Sequence, residues 1–291
     1  MESGYFTYSA PSGRRQLLGI ELHHDAGTPS SMSDHGRMHV QREADPSASE
    51  ETTLPAHAFP RVTSFRSRRS ALSGLQRDTW DRRWPELGMQ ARDSDGCLAV
   101  PLDTEAWFGR PAPLVLEIGC GTGTSTLAMA AAEPEVDVIA AEVYRRGLAQ
   151  LLNGIDREGL TNVRLIRGDG VDVLEHLLGP ASLTGVRVFF PDPWPKVRHH
   201  KRRLLQPATL ALIADRLRVG GILHAATDHP GYAEHIGEVG DAEPALRRLA
   251  ADLDVSDVDL PVSLRRPVTK YEDKAHRAGS AVAEFLWEKR P

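Results

Sequence analysis

LVLEIGCGTGTS, residues 114–125, joins an apolar β-rich run to three glycines, Gly119, Gly121 and Gly123, and then to a helix start at Thr124 or Ser125. Glycines in that place allow a tight turn and let a ligand lie against backbone N–H groups at a helix N-terminus. Outward from this unit the pattern repeats. Strands are predicted at 114–118, 136–141, 163–167, 186–190 and 221–226, separated by helical periodicity near 125–132, 144–157, 171–178 and 207–217. Alternation of this kind implies parallel strands joined by right-handed crossovers, with helices on both faces. A final pair, 254–259 and 281–288, would complete an α/β, Rossmann-like, mostly parallel seven-stranded sheet.

The glycine spacing is G-x-G-x-G, not the G-x-G-x-x-G of dinucleotide sites, so pyrophosphate is not the obvious guest. Acids stand at successive strand ends instead. Glu117 lies two residues before the first glycine, Glu142 ends the second strand where an acid accepts ribose hydroxyls, and Asp169 follows the third. S-adenosylmethionine carries an ammonium and a sulfonium and no phosphate, so these acids predict it as the cofactor. Each acid also has a plain structural use, Asp169 most of all as the N-cap of the helix at Gly170. Cys120 sits inside the glycine loop, where a small side chain is wanted, which argues against a catalytic thiol.

The fourth strand runs into VRVFFPDPWPKVRHHKRRL, residues 186–204. Prolines at 191, 193 and 195 fix φ and hold Asp192 in place without a ligand. An aromatic ring at Trp194 and the cations Lys196, Arg198, Lys201, Arg202 and Arg203 follow. An acid, a flat surface and a row of cations suit work on a nucleic-acid base, with the cations on phosphate. His199 and His200 make the charge of that run depend on pH, so phosphate affinity is expected to rise below about pH 6.5.

The chain has 291 residues, 41% of them hydrophobic, and two cysteines, which give no disulfide framework. No apolar run approaches the roughly 18–20 residues a bilayer crossing needs, which predicts a soluble, cytoplasmic protein with no membrane partner. A formal net charge of −5 argues against indiscriminate coating of nucleic acid. Residues 1–58 have few large apolar side chains and no period, and read as a disordered tail; their histidines have no metal-like spacing, and no metal is expected. Residues 59–113 read as an arm and linker, with a helix over 73–84 presenting Leu75, Thr79, Trp80 and Trp84 on one side and a linker over 90–113. Residues 114–291 form the α/β domain.

FFPDPWPK with RHHKRR resembles the signature of the tRNA (guanine-N7)-methyltransferase family, and LEIGCGTG, AEVYRRG, GDGVDVL, ATDHPGYAEH and RPVTKYEDKAHRAG match further segments of it in order. The resemblance spans residues 65–290. It implies a class I methyltransferase fold, tRNA as partner with no obligate protein partner evident, and transfer of a methyl group from S-adenosylmethionine to guanine 46 of the variable loop. It further implies cofactor contacts from Glu117, Glu142, Asp169 and Asp192, and substrate contacts from Lys196, Asp228, Thr269, Lys270, Tyr271 and Glu272. Guanine N7 has a lone pair and no proton, so no general base is required, and Asp192 is expected to orient and to stabilise the developing cation. Asp228 and Glu272 both suit the donor edge of guanine, and the sequence does not choose between them. Without the resemblance, the residues support an S-adenosylmethionine enzyme acting on a nucleobase, leaving open another RNA, DNA or amine substrate, or a tRNA-binding module without activity.

Overall fold

The computed structural model describes residues 71–93, 96, 101–249, 262–263, 266–267 and 281–291. The predicted tail, the predicted strand at 254–259 and Thr269, Lys270, Tyr271 and Glu272 lie outside them. The sheet has eight strands: β1 (Gly88–Gln90), β2 (Leu114–Ile118), β3 (Asp137–Glu142), β4 (Val163–Arg167), β5 (Leu183–Phe189), β6 (Leu217–Thr227), β7 (Leu246–Arg248) and β8 (Ala283–Lys289). Their order is β1-β4-β3-β2-β5-β6-β8-β7, all parallel neighbours except for β8, which runs antiparallel to β6 and β7. β2 and β5 are buried along their whole length, as expected of parallel strands covered on both faces.

The covering helices are α1 (Gly74–Leu87), α3 (Thr124–Ala132) and α4 (Arg145–Glu158), which lie against one set of alternating strand residues, and α6 (Pro207–Arg216) and α7 (Pro230–Ala242), which lie against the other together with the π-helical turn Val173–Leu177 that continues α5 (Gly170–Asp172). Helix α2 (Thr104–Phe108) is a short turn between β1 and β2. In α4, Leu148, Leu151, Leu152 and Ile155 fall at i, i+3, i+4 and i+7 and are fully buried. Each contributes roughly 1.5–3 kcal/mol of transfer free energy. Gly159, at φ +68, ends that helix in the left-handed conformation that favours glycine. From β2 the chain winds outward to β3 and β4, then crosses back to β5 on the other side of β2 and goes on to β6, so the winding reverses between β2 and β5. Ligands of open α/β sheets lie beyond the carboxyl ends at such a reversal.

Two of the eight strands lie outside the expected set: β7, and β1, which pairs in parallel with β4 from inside the predicted arm. GMQ has no β-branched residue to signal it. The predicted linker also contains α2, capped by Asp103, whose side chain accepts from Ala106 N, and ended by Gly109 at φ +78. Helix α1 extends the expected 73–84 and begins with a capping box between Ser73 and Gln76. Its buried side carries Thr79 and Trp80, whereas Leu75, expected beside them, is 70% exposed. Trp84 stacks on Trp80 at 4.1 Å between ring centroids.

Candidate active site

Glu117 is 3% exposed, on the α3 side of β2. Thr126, one turn into α3, donates its hydroxyl to Glu117 Oε2 at 2.8 Å. Burial pushes the carboxyl up to about 7, against the opposing pull of the Thr126 hydrogen bond and the Arg187 charge. Arg187 is the register neighbour of Glu117 on β5, 1% exposed, and its guanidinium bonds Glu133 at 2.8 Å. The sequence reading missed this pair. A lone arginine in an apolar strand signals a buried ion pair, but nothing in the spacing identifies Glu133, 54 residues away.

Glu142, at the end of β3, holds the glycine loop. Its Oε2 accepts from Gly121 N at 3.0 Å, and its Oε1 from Val143 N at 2.7 Å and Tyr144 N at 2.9 Å. Three of a carboxylate's roughly four acceptor positions are thus taken, so a ribose hydroxyl bonding Oε2 shares that oxygen with Gly121. Cys120, between the acids, is buried, and its thiol is pushed well up by that burial and then by the charges of Glu117 and Glu142. Gly119 and Gly121 have φ of +75 and +57, with nothing within 4 Å of where a Cβ would stand, so the loop opens onto free space. Asp169 caps α5 through Oδ1, which accepts from Val171 N at 2.9 Å. Acids on two adjacent strands around an open glycine loop, with no cation on the loop, fit a ligand bearing positive charge and no phosphate. Among the described residues no group of three or more His, Cys, Asp or Glu could hold a metal.

On the other side of the reversal, β5 ends and Asp192 follows, exposed, with no hydrogen bond or ion pair among the described residues. The loop around it is tightly held. Phe190 and Trp194, on either side, have φ of +52 and +45, a left-handed conformation that costs a non-glycine residue on the order of 1–3 kcal/mol. Phe190 N still bonds Ala226 O at 2.8 Å, and the guanidinium of Arg202 lies 5.0 Å over the Trp194 ring. Arg203 donates from Nε to Pro193 O at 3.0 Å and stacks 4.8 Å over Tyr232 of α7.

A methyltransferase family model matches residues 111–285, from just before β2 into β8. A tRNA (guanine-N(7)-)-methyltransferase of Mycobacterium sp. (strain KMS) is 75% identical over 236 residues, covering 81% of this chain and 84% of that protein. Proteins of the same name from Mycolicibacterium gilvum and Mycobacterium ulcerans are 67% and 59% identical, each covering 89% of this chain and 100% of its own length. The chain belongs to the tRNA (guanine-N(7)-)-methyltransferase family.

In this family member the residues after Asp192 divide into two groups. Lys196, Arg198 and Lys201 are exposed on and before a 3-10 turn, Val197–Arg202. Arg203, expected beside them on phosphate, is 4% exposed and turned inward to Pro193 and Tyr232, so it braces the loop from behind. Arg202 is half-buried over Trp194. His199 packs edge-on to Trp194 at 5.8 Å and is held below the ordinary imidazole value by desolvation and then by Arg202, Arg198, Lys196 and Lys201. Any gain of charge there is displaced to more acid pH than the sequence suggested. Asp228, half-buried, follows β6 directly and takes no hydrogen bond or ion pair among the described residues. The strand ends therefore carry Glu117 and Glu142 with their partners already engaged, and Asp192 and Asp228 without partners among the described residues.

Proposed function

We propose that this chain methylates N7 of guanine 46 in the variable loop of tRNA, with S-adenosylmethionine as donor. The supporting observation is Asp192: an exposed carboxylate, unpartnered among the described residues, on a strained and braced loop, at the sheet's winding reversal, one strand from the glycine loop. The relatives' name supports the base, the atom and the class of RNA.

Glu117 and Glu142 would hold the donor from the β2 and β3 ends, Glu117 balancing positive charge from below and Glu142 accepting from ribose, with Asp169 further along, just after β4. S-adenosylmethionine supplies an already activated methyl group, which the N7 lone pair takes by in-line displacement while the carbon–sulfur bond breaks onto sulfur. The protein's task is then orientation, for which well-aligned reactions gain roughly 7–11 kcal/mol. Asp192 orients the purine and stabilises the positive charge that develops on it, with no proton to accept. Asp228, with Glu272 as the other candidate, accepts from the N1–H and N2 amino group. Adenine would leave a buried acceptor unmatched at a cost of about 1–3 kcal/mol. Lys196, Arg198, Lys201 and Arg202 hold phosphates, while Thr269, Lys270 and Tyr271 complete the substrate side.

Incubation with bulk tRNA and labelled donor, followed by nucleoside mapping, tests the assignment. The expected product is 7-methylguanosine at position 46, and label in another nucleoside or position would overturn it. Asp192→Ala should lower kcat at least a hundredfold with tRNA affinity within about twofold, in the range seen when one electrostatic stabiliser is removed.

A further inference from the structure

Many arginines of the described residues are neutralised by a carboxylate. Arg82 bonds Asp156, Arg92 bonds Asp172 and Arg110 bonds Asp137, each at 2.6–2.8 Å. Three arginines on the β3–β4 side of the glycine loop are not. Arg145 and Arg146 open α4 shortly after Glu142, both exposed, and Arg167 is the last residue of β4. Among the described residues none of the three forms an ion pair; Arg145 lies 4.8 Å over the ring of Trp80. Arg145 and Arg167 stand close enough for the first to depress the second, after the larger effect of burial.

No acid of the described residues pairs with them. Glu142, the register neighbour of Arg167, is engaged by three backbone amides, and Asp172 by Arg92. Two arginines in the first turn of a helix, with no acid there and no side-chain cap, also oppose the helix dipole. The stability of α4 does not explain them. Their place does: α4 begins and β4 ends at the carboxyl rim of the sheet, across β3 and β2 from β5, about 14 Å at three strand spacings. The basic run 196–202 occupies the far side of the same crevice.

We propose that Arg145, Arg146 and Arg167 form a second phosphate-binding patch for RNA, on the opposite flank of the crevice from Lys196–Arg202. The backbone of the bound RNA crosses the crevice mouth and is held on both sides, which fixes the register in which one nucleotide enters. Phosphate contacts position without reading sequence, so the patch is indifferent to the identity of neighbouring bases. This inference rests on the tRNA reading for the class of partner.

The test uses the full chain with R146Q, R167Q and the double variant, leaving Arg145 on Trp80. Fluorescence anisotropy with unmodified tRNA across a salt series should show affinity falling about tenfold in the double variant. The salt slope should drop by about one for each phosphate that is no longer neutralised. Donor affinity by calorimetry and kcat at saturating tRNA should stay within twofold. Unchanged tRNA affinity and slope overturn the patch, as does a loss of donor affinity equal to the loss of tRNA affinity. A wild-type chain that binds tRNA but places no methyl group on guanine N7 overturns the function and not the patch, because the anisotropy comparison still decides the latter.

Discussion

Glu117 concentrates the conflict between folding and binding in one side chain. An acid buried to 3% with a single hydroxyl donor is poorly compensated, and its carboxyl is accordingly raised to about 7. Between the ordinary value of 4.5 and about 7 the folded chain holds a proton there that the unfolded chain does not. Stability from this group is therefore greatest below about pH 4.5 and declines as pH rises to 7. Glu117→Gln should stabilise the free protein at pH 8, by up to about 3 kcal/mol, and change little at pH 4.5. Thermal melts at the two pH values check this, and a variant that melts lower than wild type at pH 8 refutes it. The same ionisation governs the proposed donor, since a cation is best met by the charged acid. Donor affinity should weaken as pH falls below about 7 in the wild type, and Glu117→Gln should be weaker but flat.

At the scale of elements, the unit β2, glycine loop, α3 follows from its sequence almost residue for residue, since apolar run, glycines and helix start are all local signals. β4 likewise spans the predicted 163–167. What local pattern does not announce is made elsewhere: β1 exists because β4 offers an edge, and α7, absent from the periodicity, starts at Pro230 with His229 accepting from Tyr232 N as its cap. The place of Asp192, after a strand end and on a held loop, was legible from its prolines. The inward turn of Arg203 was not, because its partners are a backbone carbonyl at 193 and a ring at 232, and a basic run looks alike whether its members face water or protein. Arg203→Lys keeps the charge but removes the planar fork that bonds Pro193 and stacks on Tyr232. It should lower kcat about tenfold or more while tRNA affinity and its salt slope stay near wild type; a loss confined to tRNA affinity would return Arg203 to the phosphate contacts. Helix α4 sets the other wall. A Cβ on Gly147 would stand 2.3 Å from Gly121 O, so Gly147→Ala must move the glycine loop. Overpacking of this kind costs about 1–3 kcal/mol, and the expected readout is a donor KM raised severalfold with tRNA affinity unaltered.

For the molecule as a whole, a net charge of −5 is at odds with an RNA partner only if charge is counted without place. Cations scattered over the surface are largely paired, as Arg82, Arg92 and Arg247 are, and exert little field beyond a Debye length of about 10 Å at 0.1 M salt. Arg145, Arg146, Arg167, Lys196, Arg198, Lys201 and Arg202, unpaired among the described residues, stand at the carboxyl rim, where the acids of the cofactor side lie recessed beneath them. A cationic rim on an acidic body steers a polyanion toward the crevice, so attraction and orientation come from the same residues. If Lys196, Arg198, Lys201 and Arg202 each neutralise one phosphate, the slope of log affinity against log salt is about −3 to −3.6. Raising salt from 50 to 200 mM should then weaken tRNA binding by roughly fifty- to 150-fold, and more if the β3–β4 flank also engages. Donor affinity, set by buried and loop-bound acids, should shift by less than about twofold over the same range. Steady-state KM values for both substrates across the salt series separate the two, and a tRNA KM as insensitive as the donor's would remove phosphate contact as the basis of binding.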